Sequence, residues 1–276
     1  MNRILLLCFL ALVLPLATGP IRAQNRNAET DAAWAKMQEL FFNEARDIFD
    51  RNLKKSKGAP NYDLKFGKAL SLLNAQPRTQ TNLQKAKSLF ADVADSVPDG
   101  ELGIASRYFM GRIAHIHQSP FDWAEARQHY ESIIDRHPEH FFAQAAVSKI
   151  VLITLYESTS KQEKKSRYDQ LEAYESMLTL PVAKKHFHFL MGEAALRYGY
   201  SIERALHHFL TAEQNHIIQV RKSSDVTFRI AELARALGKR DLAIEYYRKL
   251  LRNFFRDSRR QIVLGRLAEL NASFDG

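Results

Sequence analysis

Apolar side chains recur along this chain at intervals of three and four residues. Leu89, Phe90, Val93, Ala94 and Val97 illustrate the pattern, which places their side chains on one face of a helix. No segment alternates apolar and polar residues with a period of two, so β-strands are not expected. Proline and glycine interrupt the pattern where helices should end, at Gly58, Pro60, Pro77, Pro98, Gly100, Pro120, Pro138, Pro181 and Gly238. The pattern therefore predicts an all-α protein with many helices.

A short motif repeats within these helices: alanine, three other residues, then phenylalanine or tyrosine. It occurs at Ala45/Phe49, Ala86/Phe90, Ala126/Tyr130, Ala205/Phe209 and Ala243/Tyr247. Successive alanines lie 41, 40, 79 and 38 residues apart, so one degenerate unit is expected near residues 165–173. The small residue lets two helices approach closely, and the aromatic ring fills the gap beside it. We therefore predict helical hairpins stacked into a superhelix with an extended concave surface.

The breaks divide the chain into an N-terminal helix, five hairpins and a closing helix. The expected ranges are 28–56 for the helix, 60–97, 101–136, 139–178, 183–214 and 221–254 for the hairpins, and 258–272 for the closing helix. As domains, these are an N-terminal region 24–57, an array 58–257 and a cap 258–276. The third hairpin, within 139–181, is the degenerate one. Its basic run at 161–167 is expected to form a solvated loop.

The first 23 residues have the pattern of a secretory signal peptide. A basic start precedes an apolar run at 4–16, and a more polar tail ends in Ala23, ahead of a plausible cleavage site before Gln24. The run has 13 residues, fewer than the roughly 20 of a membrane-spanning helix, so a retained anchor is the weaker interpretation. The one cysteine, Cys8, lies inside this run. The mature chain would contain no cysteine, so disulfides, thiolate catalysis and cysteine-based metal sites are excluded.

Charge narrows the choice of partner only slightly. The chain has 276 residues with 40 basic and 31 acidic side chains, a formal net charge of +9. Removal of residues 1–23 leaves 253 residues and a charge of +7. Such an excess fits an ordinary solvated surface, and export argues against a nucleic acid partner. An anionic envelope surface or an acidic protein segment remains as an electrostatic partner.

The sequence contains no motif that indicates catalysis, so no catalytic residue, cofactor or metal ligand is expected. Nine of the ten histidines fall into four groups, none with His-Glu-x-x-His spacing: His115/His117, His137/His140, His186/His188 and His207/His208/His216. The pairs Glu131-Ser132, Glu157-Ser158 and Glu175-Ser176 are not followed by a glycine-rich lobe of the kind a peptidoglycan-cleaving domain needs. Phosphate-binding loops and nucleophile elbows are also missing from the sequence.

The arrangement of small and aromatic residues resembles the tetratricopeptide repeat family. First-helix elements are Phe66-Gly67, Met110-Gly111, Met191-Gly192 and the approximate Ile230-Ala231. Second-helix elements are Ala86/Phe90/Val93/Pro98 and Ala126/Tyr130/Ile133/Pro138 in full, and Ala205/Phe209/Ala212 and Ala243/Tyr247/Leu250 without the proline. Leu264-Gly265 is similar to the start of an unfinished repeat. The resemblance implies a right-handed all-α superhelix, with irregular repeats like those of exported bacterial proteins.

The resemblance also implies which side chains face the concave groove. Carried over by repeat register, the candidate partner-binding residues are Lys68, Tyr108, Arg112, His115, Phe189, Glu193, Phe228, Glu232 and Arg235. The groove would be basic and aromatic toward its N-terminal end, and more apolar with mixed charge toward its C-terminal end. An extended peptide with a carboxylate near Lys68 and Arg112 and apolar side chains near Phe189 and Phe228 would be complementary. The alternative is that the charges serve solubility and the aromatic rings serve packing.

These features together predict an exported, periplasmic or secreted scaffold that binds a protein or an extended peptide in the cell envelope, without an integral membrane segment in the mature chain. Three alternatives stay open. The chain could be a regulatory or substrate-guiding subunit of an envelope hydrolase or transporter. It could be an enzyme whose active site has no recognised motif, or it could self-assemble through its unfinished C-terminal repeat.

Overall fold

The computed structural model describes residues 28–56, 60–157, 160–215 and 220–274. The signal-peptide prediction, Cys8 and His216 fall outside these ranges. The described residues contain thirteen α-helices and no strand. They are α1 (Ala28–Gln38), α2 (Phe42–Lys55), α3 (Tyr62–Asn74), α4 (Gln80–Ser96), α5 (Glu101–Arg112), α6 (Trp123–Arg136), α7 (Phe141–Glu157), α8 (Lys161–Glu172), α9 (Pro181–Tyr198), α10 (Ile202–Gln214), α11 (Val220–Ala236), α12 (Arg240–Asn253) and α13 (Arg260–Glu269). The predicted all-α fold is confirmed.

The chain forms two compact units that divide between His129 and Tyr130. In the first unit, helices α1 to α5 pack in chain order, each against the next. In the second unit, α9 packs on α10 and α7, α10 on α11, α11 on α12, and α12 on α13. Neighbours in sequence are therefore neighbours in space within each unit, which is the packing that helical hairpins require.

The repeated alanine and aromatic positions form the core of both units. Ala45, Ala86, Ala126, Ala205 and Ala243 are all fully buried, and so are the aromatic residues four positions later. In the first unit the Phe90 ring stacks on Phe109 at a centroid distance of 5.4 Å. Complete burial of each large apolar side chain contributes about 1.5–3 kcal/mol. The motif read from the sequence is therefore the packing motif of the fold.

The single N-terminal helix expected over 28–56 is two helices, α1 and α2. The chain turns at Leu40, which adopts a left-handed conformation with φ of 66°. The two helices then pack together, and the Trp34 and Phe49 rings meet edge to face at 5.2 Å. The reversal buries the apolar faces of both helices, which one straight helix would leave partly exposed. The first motif, Ala45/Phe49, therefore belongs to an additional hairpin.

The middle of the chain differs from expectation in a second way. Residues 161–167, expected as a solvated loop, form the start of α8. Ser160 caps this helix by accepting a hydrogen bond from the Glu163 backbone N–H, and Arg167 pairs with Glu163 one turn along at 2.6 Å. Capping and this i,i+4 ion pair stabilise a helix that the run of like charges alone would disfavour.

A buried glutamine fixes the position of the segment that directly precedes α9. Gln144 is fully buried on α7, and its Nε2 donates to Thr179 Oγ1 at 2.7 Å. Its Oε1 accepts from the backbone N–H groups of Thr179 and Leu180, at 3.1 and 2.8 Å. The Gln144 side-chain amide therefore makes the hydrogen bonds that backbone groups would otherwise make, and it fixes the position of the segment at Thr179 and Leu180.

Candidate functional surface

Lys68 already has a partner within the first unit. Its ammonium group on α3 forms an ion pair with Asp50 on α2, and Asp50 also accepts from Lys54 at 2.8 Å. The hydrogen bonds from Lys54 and Lys68 lower the pKa of Asp50 to about 2. A peptide carboxylate would have to displace Asp50 to reach Lys68. Lys68 is thus available to a partner only in exchange for this ion pair, and its role in binding stays a prediction.

Tyr108 is fully buried, so it supports the core and does not line a surface. Helix α5 packs against both α3 and α4, and this packing encloses the position that the family register assigns to a groove. Burial raises the pKa of the Tyr108 phenol well above its ordinary value. The prediction that Tyr108 contacts a partner is thus corrected, because the ring is not accessible.

The C-terminal end of α5 carries the remaining basic candidates of the first unit. Arg112 is partly exposed, with its guanidinium 5.8 Å from the centre of the Phe109 ring. Helix α5 continues into a π-helical turn, Ile113–His117, which contains the partly exposed His115. Beside it, Arg78 lies 3.2 Å from His117 Nδ1. Burial, and then the nearby charges of Arg112 and Arg78, lower the pKa of His117 to about 3.

The five C-terminal candidates lie on α9 and α11 of the second unit. We call them the Phe-Glu face: Phe189, Glu193, Phe228, Glu232 and Arg235. All five side chains are partly exposed, so a partner can reach them. The first two residues recur 39 positions later with the same types and the same spacing of four. The face therefore presents the same pair of side chains from two consecutive first helices.

Arginine side chains connect the Phe-Glu face to its neighbours. Glu193 forms an ion pair with Arg229 of α11, and the Arg229 guanidinium lies 5.6 Å from the centre of the Phe209 ring. Phe189 meets the same Phe209 ring edge to face at 6.2 Å. The Arg259 guanidinium covers Phe228 at 4.8 Å. The sequence register did not identify Arg229 and Arg259, although Arg229 directly follows a predicted groove residue.

Glu232 is the most connected carboxylate of the face. It accepts a hydrogen bond from Tyr247 and pairs with Arg235 at 3.2 Å and with Arg266 of α13 at 3.5 Å. Burial alone would raise its pKa, but the Tyr247 hydrogen bond and the arginine charges outweigh burial, and the net shift is downward. The face therefore combines ionised carboxylates, guanidinium groups and aromatic rings. This combination can hold polar and apolar parts of a peptide side by side.

Four potential metal ligands also converge in the second unit. They are Glu175, in the 3-10 turn Ala173–Met177, His188 on α9, and His207 and His208 on α10. One nitrogen or oxygen atom from each lies within 4.8 Å of the others. The sequence analysis expected no metal ligand because it treated these histidines as separate groups, and it regarded Glu175 only as part of a Glu-Ser pair. Helix packing brings them together.

Within the described residues, none of the helices combines the length and the hydropathy that a membrane span requires.

Comparisons with known proteins support the repeat type. Residues 110–140 and 225–254 match the family model of the tetratricopeptide repeat, which covers most of the second and fifth predicted hairpins. The fold is similar to that of PilW, described as a widely conserved type IV pilus biogenesis factor, with a TM-score of 0.52 and 17% identity over 87% of this chain and 100% of that one. TTC0263, a tetratricopeptide protein of Thermus thermophilus, gives a TM-score of 0.42 and 15% identity over 76% of this chain and 99% of that one. No curated protein matches this sequence.

Proposed function

Given the tetratricopeptide repeats that this chain carries, we propose that it is a non-catalytic scaffold that binds an extended segment of a protein partner in the cell envelope. The observation that carries the proposal is the repeated pair on the Phe-Glu face, Phe189 with Glu193 and Phe228 with Glu232. Repeat proteins bind extended segments by presenting equivalent side chains from consecutive units.

The chemistry of the Phe-Glu face defines the partner segment. Partly exposed edges of Phe189 and Phe228 accept apolar side chains, which gain by leaving water. Arg229 and Arg235 are paired with carboxylates of this chain, and both pairs are partly exposed. Ion pairs of this kind contribute about 0–1 kcal/mol, so a partner carboxylate exchanges with them at little cost. The partner is therefore an extended segment with apolar residues and at least one acidic residue.

The first unit offers a second point of attachment for an acidic group. Arg112 is the last residue of α5, and Arg78, in the connection between α3 and α4, lies 3.2 Å from His117 of the π-helical turn. The low pKa of His117 means that the arginines carry the positive charge there at neutral pH. Guanidinium groups bind carboxylates through paired hydrogen bonds. Arg112 with Arg78 is the proposed basic contact of this unit, and Lys68 can add to it where a partner carboxylate exchanges with Asp50.

The proposed location rests on the sequence of residues 1–23, which has the three regions of a secretory signal peptide. A protein of similar fold, PilW, is described as a type IV pilus biogenesis factor. Export would place the scaffold in the periplasm or outside the cell. Its partner would then be a subunit of an envelope complex.

Affinity measurement with paired aromatic variants tests the proposal. The full chain is expressed in its native host, and partners are recovered from the envelope fraction by wild type and by the double variant Phe189→Ala/Phe228→Ala. Loss of two aromatic contacts of at least about 1 kcal/mol each predicts that affinity for a recovered partner falls more than about 10-fold. Phe255→Ala is the matched control, because Phe255 is 67% exposed and lies outside the face.

Two results would contradict this function. One is a partner bound with equal affinity by wild type and the double variant. The other is an equal loss in the double variant and in Phe255→Ala, which would indicate a nonspecific effect of removing surface aromatic rings. Melting temperatures of all three proteins establish that each is folded when its affinity is measured.

A further inference from the structure

The histidine cluster, defined as Glu175, His188, His207 and His208, is independent of the Phe-Glu face and has no role in the proposed scaffold function. Its members come from three consecutive elements of the second unit, the 3-10 turn, α9 and α10. Imidazole nitrogens and a carboxylate are the ligand types that zinc and similar divalent metals bind in proteins. Their convergence therefore raises the question of whether the distances fit a metal ion.

Two of the three separations between the candidate ligand atoms are close to those of a metal site. His188 Nε2 and His207 Nε2 each lie 3.7 Å from Glu175 Oε1. In a tetrahedral zinc site with bonds of about 2.0–2.1 Å, neighbouring ligand atoms are separated by about 3.3 Å. The candidate ligand atoms all lie within 4.8 Å of one another, so shifts of no more than about 1 Å bring the three to one ion. Side-chain rotation alone supplies such a movement.

The network behind His188 sets the orientation and the tautomer of its ring. His188 Nδ1 lies 2.8 Å from Nδ1 of His208, and His208 Nε2 lies 3.3 Å from Oε1 of Glu172. Because Glu172 is an acceptor, His208 donates to it through Nε2–H and offers the lone pair of Nδ1. His188 then donates through Nδ1–H, which leaves its Nε2 unprotonated and directed at Glu175 and His207. A ligating histidine in a metal site is commonly held by such a hydrogen bond from its second nitrogen.

Arg204 completes this network. Its Nε donates to Glu172 at 2.8 Å, and its Nη1 pairs with Asp169 at 2.7 Å. Burial raises the pKa of Glu172, but the hydrogen bond and charge of Arg204 outweigh burial, so the net shift is downward. Glu172 is therefore an ionised acceptor in a fixed position. Hydrogen bonds thus link Arg204 to Glu172, Glu172 to His208, and His208 to His188. At the end of this chain, His188 Nε2 keeps its lone pair.

The proposed ligands differ in burial, with one buried and two exposed to solvent, as expected of a metal site that an ion can enter from solvent. His188 is 1% exposed, whereas Glu175 and His207 are 41% and 60% exposed. The hydrogen bond between His188 Nδ1 and His208 leaves the Nε2 lone pair of this buried ring for a metal ion. An ion can approach from the side of Glu175 and His207 and leave the buried network intact.

We propose that Glu175, His188 and His207 bind a divalent transition-metal ion of the zinc class, with His208 as the positioning residue that orients His188. The three protein ligands leave the remaining coordination position to water or to an outside ligand. Binding requires no proton to leave His188, because the metal takes its Nε2 lone pair while its Nδ1–H continues to donate to His208.

Metal titration of the full chain tests this site. The protein is purified without a histidine tag, stripped with a chelator, and titrated with Zn²⁺ by calorimetry and with Co²⁺ by visible absorption. Wild type is expected to bind one equivalent of Zn²⁺ and to give the absorption bands of tetrahedral Co²⁺. Glu175→Gln and His207→Ala alter exposed side chains and should leave the fold unchanged. Each should weaken Zn²⁺ binding by more than about 10-fold, since even loss of an outer hydrogen-bond partner costs about 10–100-fold.

Three further variants separate a metal site from histidine packing. His186→Ala, an exposed histidine on α9 outside the cluster, should bind Zn²⁺ like wild type. His208→Asn keeps an acceptor near the Nδ1 position, so it should bind Zn²⁺ more tightly than His208→Leu and preserve the Co²⁺ spectrum. The proposal is overturned if wild type shows no saturable Zn²⁺ binding. It is also overturned if Glu175→Gln and His207→Ala bind with wild-type affinity.

Discussion

The ring of Phe49 lies directly against the backbone of Gly67, with no room for a Cβ atom between them. Phe49 is fully buried on α2, and Gly67 belongs to α3, so this contact joins two consecutive helices of the first unit. In the second unit, Phe209 approaches Gly192 in the same manner, where an added Cβ would lie 3.0 Å from the ring. Glycine at these positions is thus required by close packing of helices.

Gly67→Ala should destabilise the protein by about 1–3 kcal/mol, because the added methyl group overpacks a core that cannot expand freely. Gly265→Ala is the matched control, since no atom lies within 4 Å of an added Cβ at that helical position. The control should be neutral or stabilising by up to about 1 kcal/mol, from helix propensity alone. Urea unfolding of the three proteins measures the difference. Equal stability of Gly67→Ala and wild type would contradict the packing account.

Sequence alone predicted this part of the fold well. Ala45/Phe49 is an occurrence of the recurring motif and Phe66-Gly67 a first-helix element, and the structure packs them together because a small residue admits an aromatic ring between helices. The sequence did not assign Ala45/Phe49 to a hairpin of its own. The break at Leu40 was not predictable in this way, since leucine has no preference for a left-handed conformation. The prediction for Tyr108 was wrong because the repeat register indicates on which face of its helix a residue lies, but not how many neighbouring helices cover that face.

The candidate site was predictable in part. The register implied by the family resemblance named the five residues of the Phe-Glu face, and the structure shows all five partly exposed, while their role in binding stays a prediction. The ion pair of Lys68 with Asp50 was not apparent, because it depends on how far two side chains reach between helices. The histidine cluster was missed for the same reason: Glu175, His188 and His207 are distant in sequence, and no short motif joins them.

The ion pair of Asp50 with Lys54 and Lys68 should make stability depend on acidity. The pKa of Asp50 is about 2 in the folded protein and about 3.9 in an unfolded chain, so folding favours its ionised form. Its stabilisation is fully present above about pH 4 and is lost as the pH falls through about 2. Allowing for solvent screening, the stabilisation is about 1 kcal/mol.

Urea unfolding of wild type and Asp50→Asn at several pH values measures this effect. The free energies of unfolding should differ by about 1 kcal/mol at neutral pH and converge between about pH 4 and pH 2. Asp241→Asn is the control, because the Asp241 side chain is 99% exposed. A difference for Asp50→Asn that stays constant down to the lowest pH would show that the ion pair is not its source.

Gln144 should be essential for the position of the segment before α9. Replacement by alanine removes the partners of the Thr179 and Leu180 N–H groups and of the Thr179 hydroxyl. We expect a loss of about 1–3 kcal/mol in the free energy of unfolding. Gln214→Ala, at an exposed position in α10, should change it by less than about 0.5 kcal/mol. Similar small effects of both substitutions would argue against a structural role for the buried amide.

Export predicts a defined N-terminus. Protein isolated from its native host should have the mass of a chain that begins at Gln24, because the small residue Ala23 precedes the expected cleavage site. Intact-mass spectrometry of the envelope fraction makes the measurement. A chain that retains residues 1–23 and remains with the membrane would instead indicate an uncleaved anchor, and a full-length chain in the cytoplasm would contradict export.

Site-specific photo-crosslinking in the living host tests the scaffold function most directly. A photoreactive residue is placed at position 189, at position 228, or at Ile202, which is 43% exposed on α10. The account predicts that positions 189 and 228 crosslink to the same protein and that position 202 does not. Crosslinks from position 202 alone, or different proteins from 189 and 228, would contradict binding of one extended segment along the Phe-Glu face.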